Sequence, residues 1–248
     1  MIQLKAVPPP PELTLDVAQK LTTKFKEDGS SVWNVDFIKK ALLEMSNYKC
    51  AYSEIKLQEE GKYMEVEHFL PKSIYPDKVV EWDNLLPASK FCNGKKRDKT
   101  HKIIHPIRDN PKHHLYMIDD IIYGKTPEGR NSVIILGLND PDHLLKPRHE
   151  IRFATQNELH KQYVQVVAFM QNLDENKALE ITNSLENLLK NGNRKEAYSA
   201  TVATTILNDP HYLEIKHIFE LNNLWSKDLD LLEIELKYCA LDIKPESK

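Results

Sequence analysis

Apolar positions along the chain recur at helical spacing near both ends and alternate over short stretches in the middle. Leu13 to Lys26 is weakly amphipathic. Phe37, Ala41, Leu42 and Met45 form a clearer stripe, with Asn34 as its expected N-cap. Downstream of Leu144, the residues Leu159, Tyr163, Val166, Val167 and Met170 fall at helical spacing. Leu179, Leu185, Leu188 and Leu189 mark another helix, which Asn191-Gly192-Asn193 stops. A last long helix is predicted from Asp209-Pro210 toward Lys237.

The middle reads as strand, loop, strand, helix. Tyr63 to Glu67 predicts a short strand ending at His68, and Pro71 and Pro76 keep the next segment irregular. Trp82 to Pro87 is a second extended piece. A helix is expected from Asn93 to about Lys102. Asp120–Tyr123 and Ser132–Leu136 are apolar and β-branched, so the Gly124–Gly129 segment between them predicts a hairpin turn. Asp140-Pro141 supplies an N-cap and a proline at the first helical position. Pro8 to Pro11 must be extended and serves as a stiff spacer or a docking peptide.

The fold class predicted is α+β and mostly helical. We expect a proline-rich arm and helix over 1–47, a catalytic core over 48–115, and a hairpin with a linker helix completing that core over 116–155. A helical region over 156–248 would serve as scaffold or partner-binding platform.

Composition narrows the partners. The chain has 248 residues and no apolar run of membrane-spanning length, so no membrane role is expected and a cytoplasmic location follows by default. Three cysteines, Cys50, Cys92 and Cys239, argue against a disulfide framework. The formal charge of −3 gives no overall basic face, so any contact with nucleic acid must be local or assisted. Gly124-Lys125-Thr126 lacks the earlier glycine of a phosphate loop, since Asp119 stands there, and Pro127 follows it. The chain is therefore expected to carry no nucleotide site of its own.

The candidate chemistry lies in Glu67-His68-Phe69-Leu70-Pro71-Lys72-Ser73, Asn84-Leu85-Leu86 and Cys92-Asn93-Gly94-Lys95-Lys96. Cleaving a phosphodiester needs an activated water and charge neutralisation at the phosphate. A histidine near neutral pKa can take the proton. A divalent ion such as Mg²⁺ or Mn²⁺ needs only one or two protein oxygen ligands, because it retains waters. Glu67 offers a carboxylate and Asn93 an amide oxygen, which leaves His68 free as base. Neighbours on a strand point to opposite faces, so Glu67 and His68 share one site only at a strand end or bend. Asn84 is placed to bond backbone across the loop and fix the histidine. Lys95, Lys96, Arg97 and Lys99 follow Asn93 and suit backbone phosphate contacts.

This ordered set strongly resembles the HNH endonuclease motif, the ββα-metal finger. The resemblance implies His68 as general base, Glu67 and Asn93 as metal ligands and Asn84 as the structural asparagine. Many members flank the motif with two Cys-x-x-Cys zinc knuckles. Here the corresponding stretches are Cys50-Ala51-Tyr52-Ser53 and Ser89-Lys90-Phe91-Cys92. Two thiols and two hydroxyls make a poor zinc site, so no structural zinc is predicted. His101, His105, His113 and His114 read as surface or structural, with an auxiliary-ligand role for His101 or His105 as the alternative. With its N-terminal prolines, early helix, Leu136-Gly137-Leu138-Asn139 and Arg148, the chain over roughly 1–155 also resembles the PtuB-like HNH subunits of Septu-type anti-phage systems, found too as retron effectors. That resemblance implies DNA as substrate, a separate SMC/ABC-type ATPase as partner and a role in bacterial defence. The rival reading is a catalytically silent HNH scaffold that binds nucleic acid or the ATPase.

Overall fold

The structure, a computed structural model, describes residues 1–59, 63–170 and 175–243. It is α+β and mostly helical. By its contacts the chain divides into two compact units. The first holds Met1, Gln3–His114 and Gly124–Asn139; the second holds Ile2, Leu115–Tyr123 and Asp140 onward. The segment expected over 116–155 is thus shared between the two units.

In the first unit, α1 (Leu15–Asp28) is capped by the Thr14 hydroxyl, which accepts from Val17 N, and ends on Gly29 in the left-handed region. Helix α2 (Asp36–Met45) starts after Val35 rather than Asn34, and its buried face centres on Ile38, Leu42, Leu43 and Met45. Phe37 is only half-buried. Strands β1 (Met64–His68) and β2 (Leu85–Ser89) pair antiparallel, with Glu65 opposite Ala88 and His68 opposite Leu85. A single turn, Trp82–Asn84, precedes β2.

Helix α3 (Lys90–Lys96) follows directly, capped by the Ser89 hydroxyl. It begins three residues before Asn93 and ends well short of Lys102. Its buried residues are Cys92 and Lys96, four apart and therefore on one face. The finger is thus strand, loop, strand, helix, with α3 packed on both strands and both strands packed on α2.

A short turn of helix, α4 (Pro111–His114), leads into β3 (Leu115–Ile118) and β4 (Ile121–Gly124). The expected hairpin therefore falls one strand earlier than predicted, because β3 and β4 are the strands that pair. Ser132–Leu136 is not a strand. Thr126 caps a helix there, its hydroxyl accepting from Gly129 N, and Pro127 opens α5 (Pro127–Ile135). Gly124 and Gly129 are needed for close approach: a Cβ on Gly129 would lie 2.0 Å from the His114 carbonyl oxygen.

In the second unit, Asp140 caps a single wide turn at Pro141–Leu145, which runs on into the long α6 (Lys146–Met170). Thr155, Leu159, Gln162, Val166 and Phe169 form its buried stripe; Val167 is exposed. Helices α7 (Glu175–Lys190), α8 (Ser199–Asn208) and α9 (Pro210–Leu221) pack with it, and α10 (Lys227–Cys239) packs on α7 and α8. The predicted last helix is two, because Asn223 adopts a left-handed backbone and Ser226 caps a new start. Among the described residues no helix is long and apolar enough to cross a membrane.

Candidate active site

Glu67, His68 and Asn93 line one cleft of about 540 Å³, together with Phe25, Pro71, Lys72, Ser73, Arg97 and Asp98. The first two adjoin because β1 ends at His68 and the chain bends directly after it. Asn93 comes from the middle of α3.

His68 is 5% exposed, and its Nε2 donates to the Val79 carbonyl at 2.9 Å. That bond fixes the proton on Nε2 and leaves Nδ1 as the basic nitrogen. Burial, with the Lys72 and Lys96 charges, lowers its pKa to about 4 despite the Val79 bond. In the free protein His68 is therefore neutral near pH 7. An incoming anionic phosphate would raise its basicity toward the working range. Trp33 packs edge-on against its ring at 4.8 Å; Phe25 packs on Trp33, and the Lys72 ammonium sits 4.6 Å above Trp33.

Asn84 bonds three backbone atoms of the intervening loop. Its Oδ1 accepts from Leu70 N at 2.7 Å, and its Nδ2 donates to the carbonyls of Leu70 and Lys78 at 3.1 and 3.0 Å. Lys78 adjoins Val79, so the same side chain anchors the loop that carries the acceptor for His68.

Glu67 is buried, and Lys96 Nζ lies 2.5 Å from its Oε1 while donating to the His68 carbonyl at 2.8 Å. Burial pushes the Glu67 carboxyl up to about 7, with the Lys96 charge opposing. Lys96 was expected on a DNA-facing surface with Lys95, Arg97 and Lys99. It is 1% exposed, because the four-residue step from Cys92 turns it inward. Lys95, Arg97 and Lys99 are exposed. Two residues that the sequence pattern does not single out also belong here. Glu65 accepts from Asn93 Nδ2 at 2.7 Å, and Lys72 lines the cleft.

The donor set fits a hard divalent ion. Among the described residues no three His, Cys, Asp or Glu side chains converge, whereas Glu67, a carboxylate, and Asn93, an amide, line the same cleft. Such an ion keeps several waters and asks for few protein ligands.

Cys50 and Cys92 are buried beside Ser53 and Ser89. Burial opposes a thiolate, but hydrogen bonds from Cys92 and Ser53 favour one on Cys50, while the same Cys50 contact and burial push Cys92 up. Two thiols that share hydrogen bonds with two serines do not form a four-ligand zinc centre. Metal analysis of purified protein is expected to return no stoichiometric zinc.

His105 is not among the cleft-lining residues. It is 4% exposed, packs on Phe69, and its Nδ1 accepts from the backbone N–H groups of Ile107 and Arg108. Burial, then the Arg108 charge, lowers its pKa. A depressed pKa contributes stability that is present above the ordinary histidine value near 6.5 and is lost as pH falls below it. The fall in urea midpoint on acidification below pH 6.5 is accordingly expected to be shallower in His105→Gln. Equal pH profiles for the two proteins would show that His105 contributes nothing.

With a finger of two strands and a helix that brings an acid-histidine pair and an asparagine to one cleft, the chain falls in the class of HNH endonucleases. The profile of the HNH endonuclease family matches residues 50–101. Over 233 residues the chain is 40% identical to the Septu protein PtuB of Bacillus thuringiensis, covering 92% of this chain and 90% of that protein. The chain belongs to the PtuB family.

Proposed function

We propose that the chain is a metal-dependent HNH endonuclease that hydrolyses DNA phosphodiesters. It acts as the effector subunit of a bacterial anti-phage complex, beside a separate SMC/ABC-type ATPase. The observation that carries the catalytic reading is His68: its Nε2 is committed to Val79, its Nδ1 is unprotonated, and it shares a cleft with Glu67 and Asn93. Mg²⁺ or Mn²⁺ held by Glu67 and Asn93 would supply Lewis-acid stabilisation of the phosphate and the leaving oxygen. His68 takes the proton of the attacking water. Asn84 holds the loop that orients His68, and Lys72 and Arg97 add positive charge along the cleft. The ATPase partnership is supported by the kinship with a Septu protein and by the net charge of −3, which leaves substrate delivery to a partner.

The second reading, a catalytically silent scaffold that binds nucleic acid or the ATPase, is favoured by one observation: the Lys96 ammonium already neutralises Glu67. Plasmid degradation with Mg²⁺ or Mn²⁺, with and without a candidate ATPase, separates the two. Degradation by the wild-type protein that disappears in His68→Ala supports catalysis. Degradation by neither protein in any condition supports the scaffold, and equal degradation by both overturns the assignment of His68.

Contacts to DNA phosphates are assigned to Lys95, Arg97 and Lys99, and not to Lys96. Neutralising all three with glutamine is expected to flatten the dependence of log K on log salt by about 2–3, at ~0.9 for each phosphate that goes without its cation. An unchanged slope would place DNA elsewhere on the molecule.

A further inference from the structure

We infer that Glu65 is the positioning residue for Asn93, dictating which atom of that amide faces the cleft. The inference rests on reading Glu67 and Asn93 as the ligand pair. Glu65 Oε2 accepts from Asn93 Nδ2 at 2.7 Å. An ionised carboxylate accepts hydrogen bonds and donates none, so the amide cannot turn over without setting oxygen against oxygen. The nitrogen is committed to Glu65, and Oδ1 is the atom left for a cation. A side-chain amide free to flip would spend part of its time presenting an NH₂ group to that cation.

The backbone explains why Glu65 can do this. It lies two residues before Glu67 on β1, and so shares its strand face. Both carboxylates reach α3: Glu67 meets Lys96 and Glu65 meets Asn93, three residues apart and about one turn. The strand therefore grips the helix at two successive points. One is a buried ion pair and the other is the ligand amide. Glu65 is not among the residues lining the cleft, so it acts through Asn93.

The test is direct Mn²⁺ binding to the full-length protein without DNA, read from the electron paramagnetic resonance signal of unbound Mn²⁺, with urea unfolding as a control for folding. Glu65→Ala is expected to weaken Mn²⁺ binding about tenfold, in the usual range for a group that orients a metal ligand. Glu65→Gln, whose Oε1 still accepts from Asn93, is expected to stay within about threefold of wild type on the same grounds. In an Asn93→Asp background the sign should reverse. There the two carboxylates repel, and adding Glu65→Gln restores a donor and tightens binding.

Equal weakening by Ala and Gln would make Glu65 a mere charge near the ion and overturn the inference. Unchanged binding in Glu65→Ala, or no reversal in the Asn93→Asp background, would overturn it as well. If Glu65→Ala fails to fold, the Gln variant and the reversal decide. Wild-type protein that takes up no Mn²⁺ overturns the metal reading itself, and this inference falls with it. Metal uptake that is normal in wild type and insensitive to Glu65 sinks the inference alone.

Discussion

Replacing His68 with alanine is expected to slow DNA cleavage by about 10²–10⁴-fold, the usual contribution of a positioned general base. The expectation follows from one bond. Val79 holds the Nε2 proton, so no second nitrogen competes to act as base. The substitution also leaves a buried carbonyl without its donor, which costs roughly 1–3 kcal/mol. Cleavage should therefore be measured below the unfolding temperature of the variant, with Mn²⁺ binding as an independent readout. Loss of cleavage with Mn²⁺ binding retained identifies His68 as a group that acts on the water rather than on the ion. Retained cleavage removes His68 from the chemistry.

The largest effect on stability is expected at Lys96. Removing one partner of a buried ion pair leaves the other charge uncompensated, at a cost of about 3–5 kcal/mol. Lys96→Met breaks the contact to Glu67 and the bond to the His68 carbonyl together. The double variant Glu67→Gln/Lys96→Met removes both charges and should recover much of the loss, because a neutral pair carries less desolvation cost. Urea midpoints of the wild type, the two single variants and the double variant give the coupling. A Lys96→Met protein as stable as wild type, with a flattened salt dependence of DNA binding, would return Lys96 to the DNA surface.

Glu67, His68, Asn84 and Asn93 were legible as a set because the finger is a local unit. Its two strands and helix are close in sequence, so the four residues fall within one short stretch of chain. Lys96 was hidden by its neighbours. In a basic run it looks solvated, although its four-residue step from Cys92 marks the inner face of the helix. The Glu65–Asn93 bond spans 28 residues and joins two elements, so no local pattern announces it.

The same holds for larger elements. Thr126-Pro127-Glu128 is a helix start, but the β-branched residues of Ser132–Leu136 suggested a strand. Helix α8 shows no amphipathic stripe in the sequence, because its threonines look polar. They are buried, and the Thr204 and Thr205 hydroxyls bond the carbonyls one turn back, which removes the cost of burying them. The helical character of the remainder was legible from its periodicity. Its breaks depend on single residues such as Asn223.

The ring of Trp33 against His68 bears on engineering. The family profile begins at residue 50, which invites excision of the finger as a minimal cutting cartridge for fusion to other DNA-binding proteins. In this chain that cartridge would be missing a wall. Phe25, Trp33 and the Lys26–Asp77 ion pair all come from, or fasten, the helical segment ahead of it. The transferable unit therefore begins no later than α1, and a graft that starts at Cys50 would carry Glu67, His68, Asn84 and Asn93 with the histidine's packing partner left behind.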